Sequence, residues 1–492
     1  MSLEFNIGLS IAKAARRHEG KLAFVGAAQK MTYTQFENLL AATTMEFKER
    51  GVGRDSVVGI HTIDSRLAVA GIAAANLLGA PWVHATPSAL RKPSLKVSHV
   101  LCVKNAKQKP DHPNLMEFES GWLDKRSLDY WFEQVDPQGF ASPEQPARIG
   151  QSSGTTGAHK FIAISEIDNF KRSTWQPVFM KEETTVLGCL FPPLSGVGLN
   201  SRVRTLIDGG CIVETGILEQ QAGWISAGVN TIIASPSQFA TLLSEMTDDP
   251  ARRFAKALVG GGRPSAQFLE KMAERFDKIC VFYGSTEMGH AAETVVTDVA
   301  SFDGALDPLT EDGIEIQVVD ENDVSQPAGV EGVVRLRREG FVPHYIQDPL
   351  ANSDAIRDGW FYPGDLGVFA ESGRLQISGR VNDSLNIGGV KINALTVDDF
   401  IQSDPNISDG YCFVIPDETG IDRVNILASF KPGLPDQQAA TMLLERISAK
   451  VAKSLRPRAV YVVSAVPRTD TGKPVRRKAA EIAGTIAPLA TA

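Results

Sequence analysis

Cysteine is scarce in this sequence, and its few cysteines are not spaced as pairs. Five cysteines are spread over 492 residues, and none of them belongs to a C-x-x-C motif. A disulfide framework and a cysteine-ligated zinc site are both disfavoured, because each requires paired or closely spaced cysteines. This usage is typical of a reducing compartment, and we predict a cytoplasmic location.

A long apolar run is also missing. The best candidate for a membrane span, residues 67–83, is rich in alanine and glycine and is interrupted by Asn76 and Pro81. Because a spanning helix needs about 20 strongly apolar residues, this stretch predicts a buried helix, and no membrane span is expected. The N-terminal segment has no apolar core of signal-peptide length.

The sequence has no excess of positive charge. Its formal net charge is −8, from 50 lysines and arginines against 58 aspartates and glutamates, and the two signs are mixed along the chain. A dedicated nucleic-acid-binding protein needs a basic face for the phosphate backbone, so no nucleic acid partner is expected. The G-x-x-x-x-G-K-[ST] spacing of a P-loop ATPase is absent as well.

Short β-rich runs alternate with helical patterns over most of the chain. The clearest runs lie at residues 57–62, 97–103, 210–215 and 278–284. This rhythm predicts βαβ units and a buried parallel sheet, in which ligands bind at the carboxyl ends of the strands. A chain of this length also exceeds one ordinary hydrophobic core, so at least two domains are expected.

The pattern changes after residue 310. Residues 310–380 predict antiparallel strands with tight turns, and a compact α+β unit follows from about residue 380. The predicted fold class is α/β, with a large N-terminal domain of parallel-rich sheets and a small antiparallel barrel-like part, plus a small α+β C-terminal domain. We expect the domains to be residues 1–381 and 382–492, and the alanine-rich tail to be frayed.

One loop has the composition of a phosphate-binding site. Glycines let a backbone approach phosphate oxygens, N–H groups and hydroxyls donate hydrogen bonds, and a lysine supplies positive charge. The residues of this loop are Ser152, Ser153, Gly154, Thr155, Thr156, Gly157 and Lys160. A polar surface loop can have the same composition, so the loop alone does not decide the function.

Further motifs follow this loop along the chain. They read YGSTE at 283–287, GWFYPGD at 359–365, GRVND at 379–383, GGVKI at 388–392 and PRTDTGK at 467–473. This ordered series resembles the adenylate-forming superfamily, which includes acyl-CoA synthetases, carrier-protein adenylation domains and firefly luciferase. The resemblance extends over nearly the whole chain, and several motifs in one order are not expected by chance.

The resemblance implies an ATP site. The 152–160 loop would hold the β- and γ-phosphates, while Gly261 and Gly262 would form a flat slot against one face of the adenine. Tyr283, followed by Gly284, would stack on the other face, and Asp365 would accept hydrogen bonds from the ribose hydroxyls.

The resemblance also implies the catalytic residues. Thr286 would bind the α-phosphate, and Glu287 would hold Mg²⁺, since a hard carboxylate suits that ion. Arg380 would contact ribose or phosphate, and Lys473 would reach the α-phosphate and the substrate carboxylate. No acid–base pair is needed, because the attacking carboxylate is already ionised.

A domain rotation between two half-reactions is a further implication. The C-terminal domain would bring Lys473 in for adenylation, then the loop with Gly388 and Gly389 in to line the thiol channel, turning about a hinge at Asn382. The acyl pocket would contain Ser195, Gly196, Ser285 and Gly289.

The sequence departs from the family pattern at several positions. Asn382 replaces the usual Asp or Lys of the hinge, although Asn tolerates unusual backbone angles. His159 and Phe161 flank the loop lysine where Pro and Gly are usual, and Pro363 replaces a common Thr. Ser195 stands where an aromatic or His often lines the acyl pocket, and no nearby Asp is present for an α-ammonium group, which disfavours an amino acid substrate.

The leading hypothesis is an ATP-dependent ligase that forms an acyl-adenylate from a carboxylic acid, a small-molecule substrate, and transfers the acyl group to CoA. A free-standing adenylation enzyme that loads the phosphopantetheine of a separate carrier protein is the nearest alternative. A non-catalytic nucleotide-binding relative belongs to a different class, and the presence of Glu287 and Lys473 argues against it. The acid and the choice of thiol acceptor stay open.

Overall fold

A computed structural model describes most of the chain. The described residues are 4–26, 29–124, 139–153, 159–175, 183–214, 220–246, 253–264, 266–310, 313–338, 343–381, 384–387, 390–417, 422–433, 435–451, 455–469 and 474–491.

Within these ranges the chain forms an α/β structure of alternating helices and strands. The helices are α1 (Ile7–Arg17), α2 (Tyr33–Glu49), α3 (Ser65–Leu77), α4 (Pro87–Leu90), α5 (Gly121–Asp124), α6 (Glu166–Thr174), α7 (Gly196–Ile207), α8 (Gln220–Ser226), α9 (Pro236–Glu245), α10 (Ala266–Ala273), α11 (Pro349–Ala355), α12 (Ala394–Gln402), α13 (Asp436–Lys450) and α14 (Arg476–Ala483). The strands are β1 (Leu22–Gly26), β2 (Lys30–Thr32), β3 (Val58–His61), β4 (Trp82–His84), β5 (His99–Val103), β6 (Leu115–Phe118), β7 (Pro146–Ser153), β8 (His159–Ser165), β9 (Val186–Cys189), β10 (Cys211–Glu214), β11 (Thr231–Ala234), β12 (Phe254–Val259), β13 (Phe276–Ser285), β14 (Gly289–Val296), β15 (Ala305–Pro308), β16 (Ile314–Val319), β17 (Gly332–Arg338), β18 (Ile356–Arg357), β19 (Trp360–Phe361), β20 (Asp365–Phe369), β21 (Leu375–Arg380), β22 (Ser384–Ile387), β23 (Val390–Asn393), β24 (Ile407–Pro416), β25 (Asp422–Phe430), β26 (Ala459–Val462) and β27 (Ala490–Thr491).

Two sheets with parallel cores form the N-terminal part, which confirms the predicted fold class. The first has the strand order β6-β5-β3-β4-β7-β8, and only its β7–β8 pair is antiparallel. The second contains the parallel run β13-β12-β11-β9-β10-β1. Such strands are apolar on both faces because helices cover both sides.

A layer of helices fills the space between these two sheets. Helices α1, α2, α3 and α7 pack on one another, and α3 contacts β3 while α7 contacts β9 and β10. One hydrophobic core therefore includes side chains from both sheets, among them Ile60 of β3 and Leu187 of β9. The sheet that contains β3 and the sheet that contains β9 thus share one helical layer.

Helix α3 confirms the prediction of a buried helix within residues 67–83. Asp64 caps its N-terminus by accepting hydrogen bonds from the N–H groups of Arg66 and Leu67, as an N-cap aspartate does. Every residue from Leu67 to Leu77 is buried. No helix in the described part of the chain combines the length and the apolar character that a membrane crossing requires.

Antiparallel strands continue the second sheet beyond β13, as the sequence predicts for residues 310–380. Strands β14, β15, β21, β20 and β17 follow β13 in order, and β16 pairs with β17. In the β20–β21 pair, Asp365 lies opposite Arg380. This register brings two separate sequence motifs side by side at one end of the sheet.

The C-terminal residues form a separate sheet with the strand order β24-β25-β26-β27. Helices α12 and α13 pack against it around a core of their own, and α14 packs against β24. The prediction of a frayed tail was wrong, because the N–H of Leu489 donates to Val460 O at 2.9 Å and β27 pairs with β26. Burial of Ala490 and packing of Leu489 on the core offset the entropy lost by ordering the tail.

Candidate active site

A tight hairpin between β13 and β14 carries six of the predicted site residues. Gly284 pairs with His290, and Ser285 pairs with Gly289. A Cβ on Gly284 would lie 2.3 Å from Gly289 O, so the close approach of the two strands requires glycine at position 284. The turn between the strands contains Thr286 and Glu287, the latter buried.

One end of this hairpin contacts the β20–β21 pair. The hydroxyl of Tyr283 donates to Asp365 Oδ2 at 2.6 Å, and Arg380 Nε lies 2.9 Å from Asp365 Oδ1. Burial, followed by the charge of Asp365, raises the pKa of Tyr283 well above its usual range, so the phenol stays protonated and acts as the donor. Three motifs that are distant in sequence therefore meet at one carboxylate.

The other end contacts Tyr345, a residue that no sequence motif indicated. Its hydroxyl donates to Glu287 Oε1 at 2.8 Å, and Lys160 Nζ lies 5.1 Å from the centre of its ring. Burial and the charge of Glu287 raise the pKa of Tyr345, while a hydrogen bond with Ser152 acts in the opposite direction. Tyr345 thereby joins both ends of the glycine- and hydroxyl-rich loop to Glu287.

Arg172 of α6 donates two hydrogen bonds to the backbone of the hairpin turn. Its Nη1 donates to Thr286 O at 2.8 Å and its Nη2 donates to Glu287 O at 2.6 Å. Gly289 has a φ of +76°, and a Cβ there would approach Arg172 Cγ to 3.2 Å, so both the backbone conformation and the space favour glycine. Burial lowers the pKa of Arg172 to about 10, and the nearby carboxylates of Asp168 and Glu287 oppose that shift.

The glycine run after β12 presents bare backbone beside Phe282 and Pro236. A Cβ on Gly260 would lie 2.1 Å from the ring of Phe282, and a Cβ on Gly262 would contact Pro236 at 3.6 Å. Gly261 has a φ of +79°, a conformation that other residues rarely adopt. Glycine is therefore required at position 260 by the packing of Phe282 and favoured at position 261 by the backbone conformation.

The two serines predicted for the acyl pocket use their hydroxyls inside their own loops. Ser195 caps α7: its Oγ accepts from the N–H of Gly198 at 3.1 Å and donates to Pro192 O at 2.7 Å. Ser285 Oγ accepts from the N–H of Met288 at 3.1 Å. These hydroxyls shape the turns, and Gly196, the first residue of α7, lies beside the guanidinium of Arg148.

The sequence model of the AMP-binding enzymes matches residues 11–346, which is more than half of the chain. The chain belongs to the AMP-binding enzyme family. The match includes the glycine- and hydroxyl-rich loop, the β13–β14 hairpin and Tyr345.

Curated relatives of this AMP-binding enzyme are CoA ligases. The 4-chlorobenzoate–CoA ligase of an Arthrobacter species is 25% identical over 513 residues, covering 96% of this chain and 94% of that protein. The oxalate–CoA ligase of Saccharomyces cerevisiae is 27% identical over 364 residues, covering 70% of this chain and 64% of that protein. These likenesses confirm the assignment to the adenylate-forming enzymes and, among them, to ligases of the acyl-CoA synthetase type.

A solved structure agrees with the fold over its whole length. The anthranilate CoA ligase AuaEII, solved in complex with anthranoyl-AMP, superposes with a TM-score of 0.80 at 19% identity and covers 99% of both chains. At this identity the likeness concerns the architecture, which is the mixed α/β fold predicted from the sequence.

The predicted site residues of this AMP-binding enzyme fall into three groups. Those brought together at the hairpin and its neighbours are Ser152, Lys160, Tyr283, Gly284, Ser285, Thr286, Glu287, Gly289, Asp365 and Arg380. Gly261 and Gly262 follow β12, Ser153 ends β7, and Ser195 and Gly196 begin α7. Gly154, Thr155, Thr156, Gly157, Asn382, Gly388, Gly389 and Lys473 lie outside the described residues.

Sequence reasoning missed Tyr345 and Arg172. Neither residue lies in a glycine-rich motif, and their partners are 58 and more than 110 positions away in the chain. The one sequence signal for Tyr345 is that it lies in the loop between β17 and α11, just before Pro349 begins the helix. For Arg172, an arginine within an otherwise ordinary amphipathic helix, we find no such signal.

Proposed function

We propose that this enzyme activates a small carboxylic acid with ATP as an acyl-adenylate and then transfers the acyl group to the thiol of CoA. The observation that carries the proposal is the contact of Tyr345 with Glu287, Lys160 and Ser152. It joins a phosphate-binding type of loop to a buried carboxylate, and the same hairpin reaches Asp365 at its other end. A nucleotide lying along the hairpin would contact both ends.

ATP would bind with its ribose on Asp365 and its phosphates toward Lys160. Asp365 accepts from Tyr283 on Oδ2 and pairs with Arg380 through Oδ1, and each carboxylate oxygen has a second lone pair for a ribose hydroxyl. The adenine would lie on the bare backbone of Gly261 and Gly262. Thr286 and the 152–160 loop would donate hydrogen bonds to the phosphates.

The magnesium expected in this family fits Glu287. In the described part of the chain, Glu287 Oε1 accepts from Tyr345 and Oε2 accepts no hydrogen bond, and a carboxylate oxygen is a preferred ligand of that ion. A bound Mg²⁺ would supply positive charge beside the phosphates. Tyr345 would hold the carboxylate in one orientation, and Arg172 would hold the backbone on either side of it.

In the first half-reaction a carboxylate oxygen of the acid attacks the α-phosphorus, and the bond from that phosphorus to the bridging β-phosphate oxygen breaks. Pyrophosphate leaves with the electron pair of that bond, and no proton is transferred. The two reacting groups are both anions and repel each other. Cations and hydrogen-bond donors positioned around the phosphates therefore supply the catalysis. Arg380, Lys160 and Lys473 are the cations that we assign to this role.

In the second half-reaction the sulfur of CoA attacks the carbonyl carbon of the acyl-adenylate. The carbon–oxygen bond to the phosphate breaks and AMP leaves, while the thiol proton passes to solvent. We propose that residues 382–492 form a mobile domain that turns about Asn382, delivering Lys473 for the first step and the Gly388–Gly389 backbone for the second.

CoA is the acceptor that the relatives favour, since the curated proteins named above are CoA ligases. The alternative acceptor is the phosphopantetheine of a carrier protein, which presents the same thiol arm. The scarcity of cysteine and the five free thiols fit a reducing compartment, and the cytoplasmic location stays a prediction.

The deciding experiment is acid-dependent exchange of pyrophosphate into ATP, run with aryl, short-chain, long-chain and amino acids. Exchange with one class of acid would support adenylation, and thioester formation would then be compared with CoA and with a phosphopantetheinylated carrier protein. Measurable ATP binding without exchange for any acid would count against an activating enzyme and favour the binding-only alternative. Faster acylation of the carrier protein than of CoA would replace the proposed acceptor.

A further inference from the structure

Four polar side chains meet between β7, α6 and α7, and we call them the buried polar cluster: Arg148, Asn169, Ser173 and Asn200. Arg148 is 4% exposed, Asn169 1% and Ser173 0%. Arg148 Nη1 and Ser173 Oγ both donate to the same atom, Asn200 Oδ1, and both hydrogen bonds are long at 3.4 Å. Asn169 lies one helical turn before Ser173, on the same face of α6.

This cluster leaves much of its hydrogen-bonding capacity unused. Arg148 Nε and both polar atoms of the Asn169 side chain have no partner in the structure as described. Buried polar atoms are nearly always paired, because leaving one unpaired costs free energy. Three unpaired atoms on two adjoining elements, β7 and α6, therefore indicate a group that is bound here during function.

The charge of the cluster is positive and uncompensated. No carboxylate within the described ranges forms an ion pair with Arg148, whose guanidinium instead lies over the ring of Trp82, 5.2 Å from its centre. Burial, together with the charge of Arg172, lowers the pKa of Arg148 to about 9. A buried guanidinium without a carboxylate partner is stabilised by an anion bound beside it.

The cluster borders the predicted acyl pocket directly at Gly196 and, through the neighbouring Arg172, at Gly289. A Cβ on Gly196 would lie 3.7 Å from Arg148 Nη2, and Gly289 packs against Arg172. These two glycines belong to the segments expected to surround the acyl group. Gly196 is also the first residue of the 12-residue helix α7, whose N–H groups and dipole favour a negative charge at this end.

We propose that the acid activated by this enzyme carries a second carboxylate, which binds to Arg148 at the N-terminal end of α7. The inference rests on the proposed function, because it concerns the remote end of the same substrate. The reacting carboxylate would lie toward Glu287 and Lys160, and the second carboxylate would lie at Arg148, with Asn169 as a further donor through its Nδ2.

The test compares acids in matched pairs that differ by the second carboxylate: hexanoate with adipate, and benzoate with terephthalate. Wild-type enzyme should exchange pyrophosphate with a diacid at a kcat/KM at least about 100-fold above that of its monoacid partner, because a site built for a polar group rejects the analogue that lacks it. Arg148→Met keeps the apolar stem and should remove that preference. Arg204→Met, on the same helix as Asn200 but ion-paired with Asp208, should keep it.

A second variant separates binding from a purely structural role. Asn200→Asp is nearly isosteric and would put a carboxylate 3.4 Å from Arg148 Nη1, where it would compete with the second carboxylate of the substrate. It should raise the midpoint of thermal unfolding by a few degrees and lower the diacid preference about tenfold or more. Stabilisation with an unchanged preference would mean that Arg148 serves the fold alone and would overturn the proposal.

The outcomes also separate this proposal from the function on which it rests. Wild-type exchange that favours the monoacid of each pair, or an equal loss of both activities in Arg148→Met, would overturn the diacid assignment and leave adenylation standing. Absence of exchange with every acid would overturn the proposed function itself, and the diacid assignment with it.

Discussion

The hydroxyl of Tyr345 donates to Oε1 of Glu287 at 2.8 Å, although 58 positions separate the two residues in the chain. Next to Tyr345, the N–H of Ile346 donates to Phe161 O at 2.8 Å, which holds this segment along β8. The bond thus fixes the carboxylate relative to the strand pair that carries the phosphate-binding type of loop. Glu287 Oε2 accepts no hydrogen bond in the described part of the chain and is left for a cation.

Tyr345→Phe should therefore weaken the use of magnesium-bound ATP. The ring stays, so the contact with Lys160 is kept, while the hydrogen bond to a charged group is lost at a cost of about 1.5–3 kcal/mol. We expect kcat/KM for ATP in pyrophosphate exchange to fall about 10- to 100-fold, with a higher magnesium concentration needed for half-maximal rate.

The matched control is Tyr461→Phe, a buried tyrosine of β26 whose ring packs near Phe413. It should leave the exchange rate and its magnesium dependence unchanged. Equal behaviour of the two variants would show that Tyr345 does not orient Glu287 for the reaction.

Asp365→Asn should reduce affinity for ATP. The change keeps the shape but removes the charge that pairs with Arg380 and an acceptor for the Tyr283 hydroxyl. Loss of a buried charged acceptor costs about 2–5 kcal/mol, so titration calorimetry should report at least tenfold weaker binding of ATP. The control is Asp303→Asn, which breaks an exposed ion pair with Arg374 and should bind ATP as the wild type does. If Asp365→Asn binds ATP with wild-type affinity, Asp365 does not belong to the ribose site.

Lys473→Ala should separate the two half-reactions. Loss of one aimed charge typically costs about 3–4 kcal/mol of transition-state stabilisation, so adenylation should fall by two to three orders of magnitude. Thioester formation from supplied acyl-adenylate should survive. Lys478→Ala, an exposed lysine of α14, is the control, and normal adenylation by Lys473→Ala would reject the role proposed for this lysine.

Glu166→Gln should change how stability depends on pH. Burial raises the pKa of Glu166 to about 7, partly opposed by the hydrogen bond from Asn6. A carboxyl with a raised pKa binds more protons in the folded than in the unfolded state, so the free energy of unfolding falls as pH rises from about 4 to about 7 and is then constant. Burial raises the pKa of Glu214 to about 7 as well and also raises the pKa of Asp399, so part of the pH dependence should persist in Glu166→Gln.

The measurement is urea unfolding at pH 5 and at pH 8. Removing the Glu166 ionisation should make the loss of stability between these pH values smaller by up to about 3 kcal/mol. Glu274→Gln, at an exposed position of the N-terminal part, should keep the wild-type dependence. An unaltered pH profile in Glu166→Gln would mean that Glu166 is ionised in the folded protein at little cost.

The short sequence motifs predicted the site residues that lie within the motifs themselves. Tyr283, Asp365 and Arg380 were each predicted from a separate short motif, and the β20–β21 register brings the last two opposite each other. Tyr345 and Arg172 were not predicted, because each acts through partners that only packing brings near. The prediction of a frayed tail was wrong for the same reason. Residues 489–491 pair with the edge of β26, and their local sequence gives no sign of that partner.

The sequence by itself determined the order of the motifs and the change from parallel to antiparallel strands, since glycine, hydroxyl and apolar spacing act between neighbours in the chain. The resemblance of those motifs to the adenylate-forming superfamily implied the class of chemistry. Only the tertiary structure decided that Tyr345 reaches Glu287, that Arg172 holds the turn beside it, and that Arg148 lies buried beside Gly196 without a carboxylate partner in the described ranges. These contacts depend on how two sheets and the helices between them pack, and packing joins residues that have no relation along the chain.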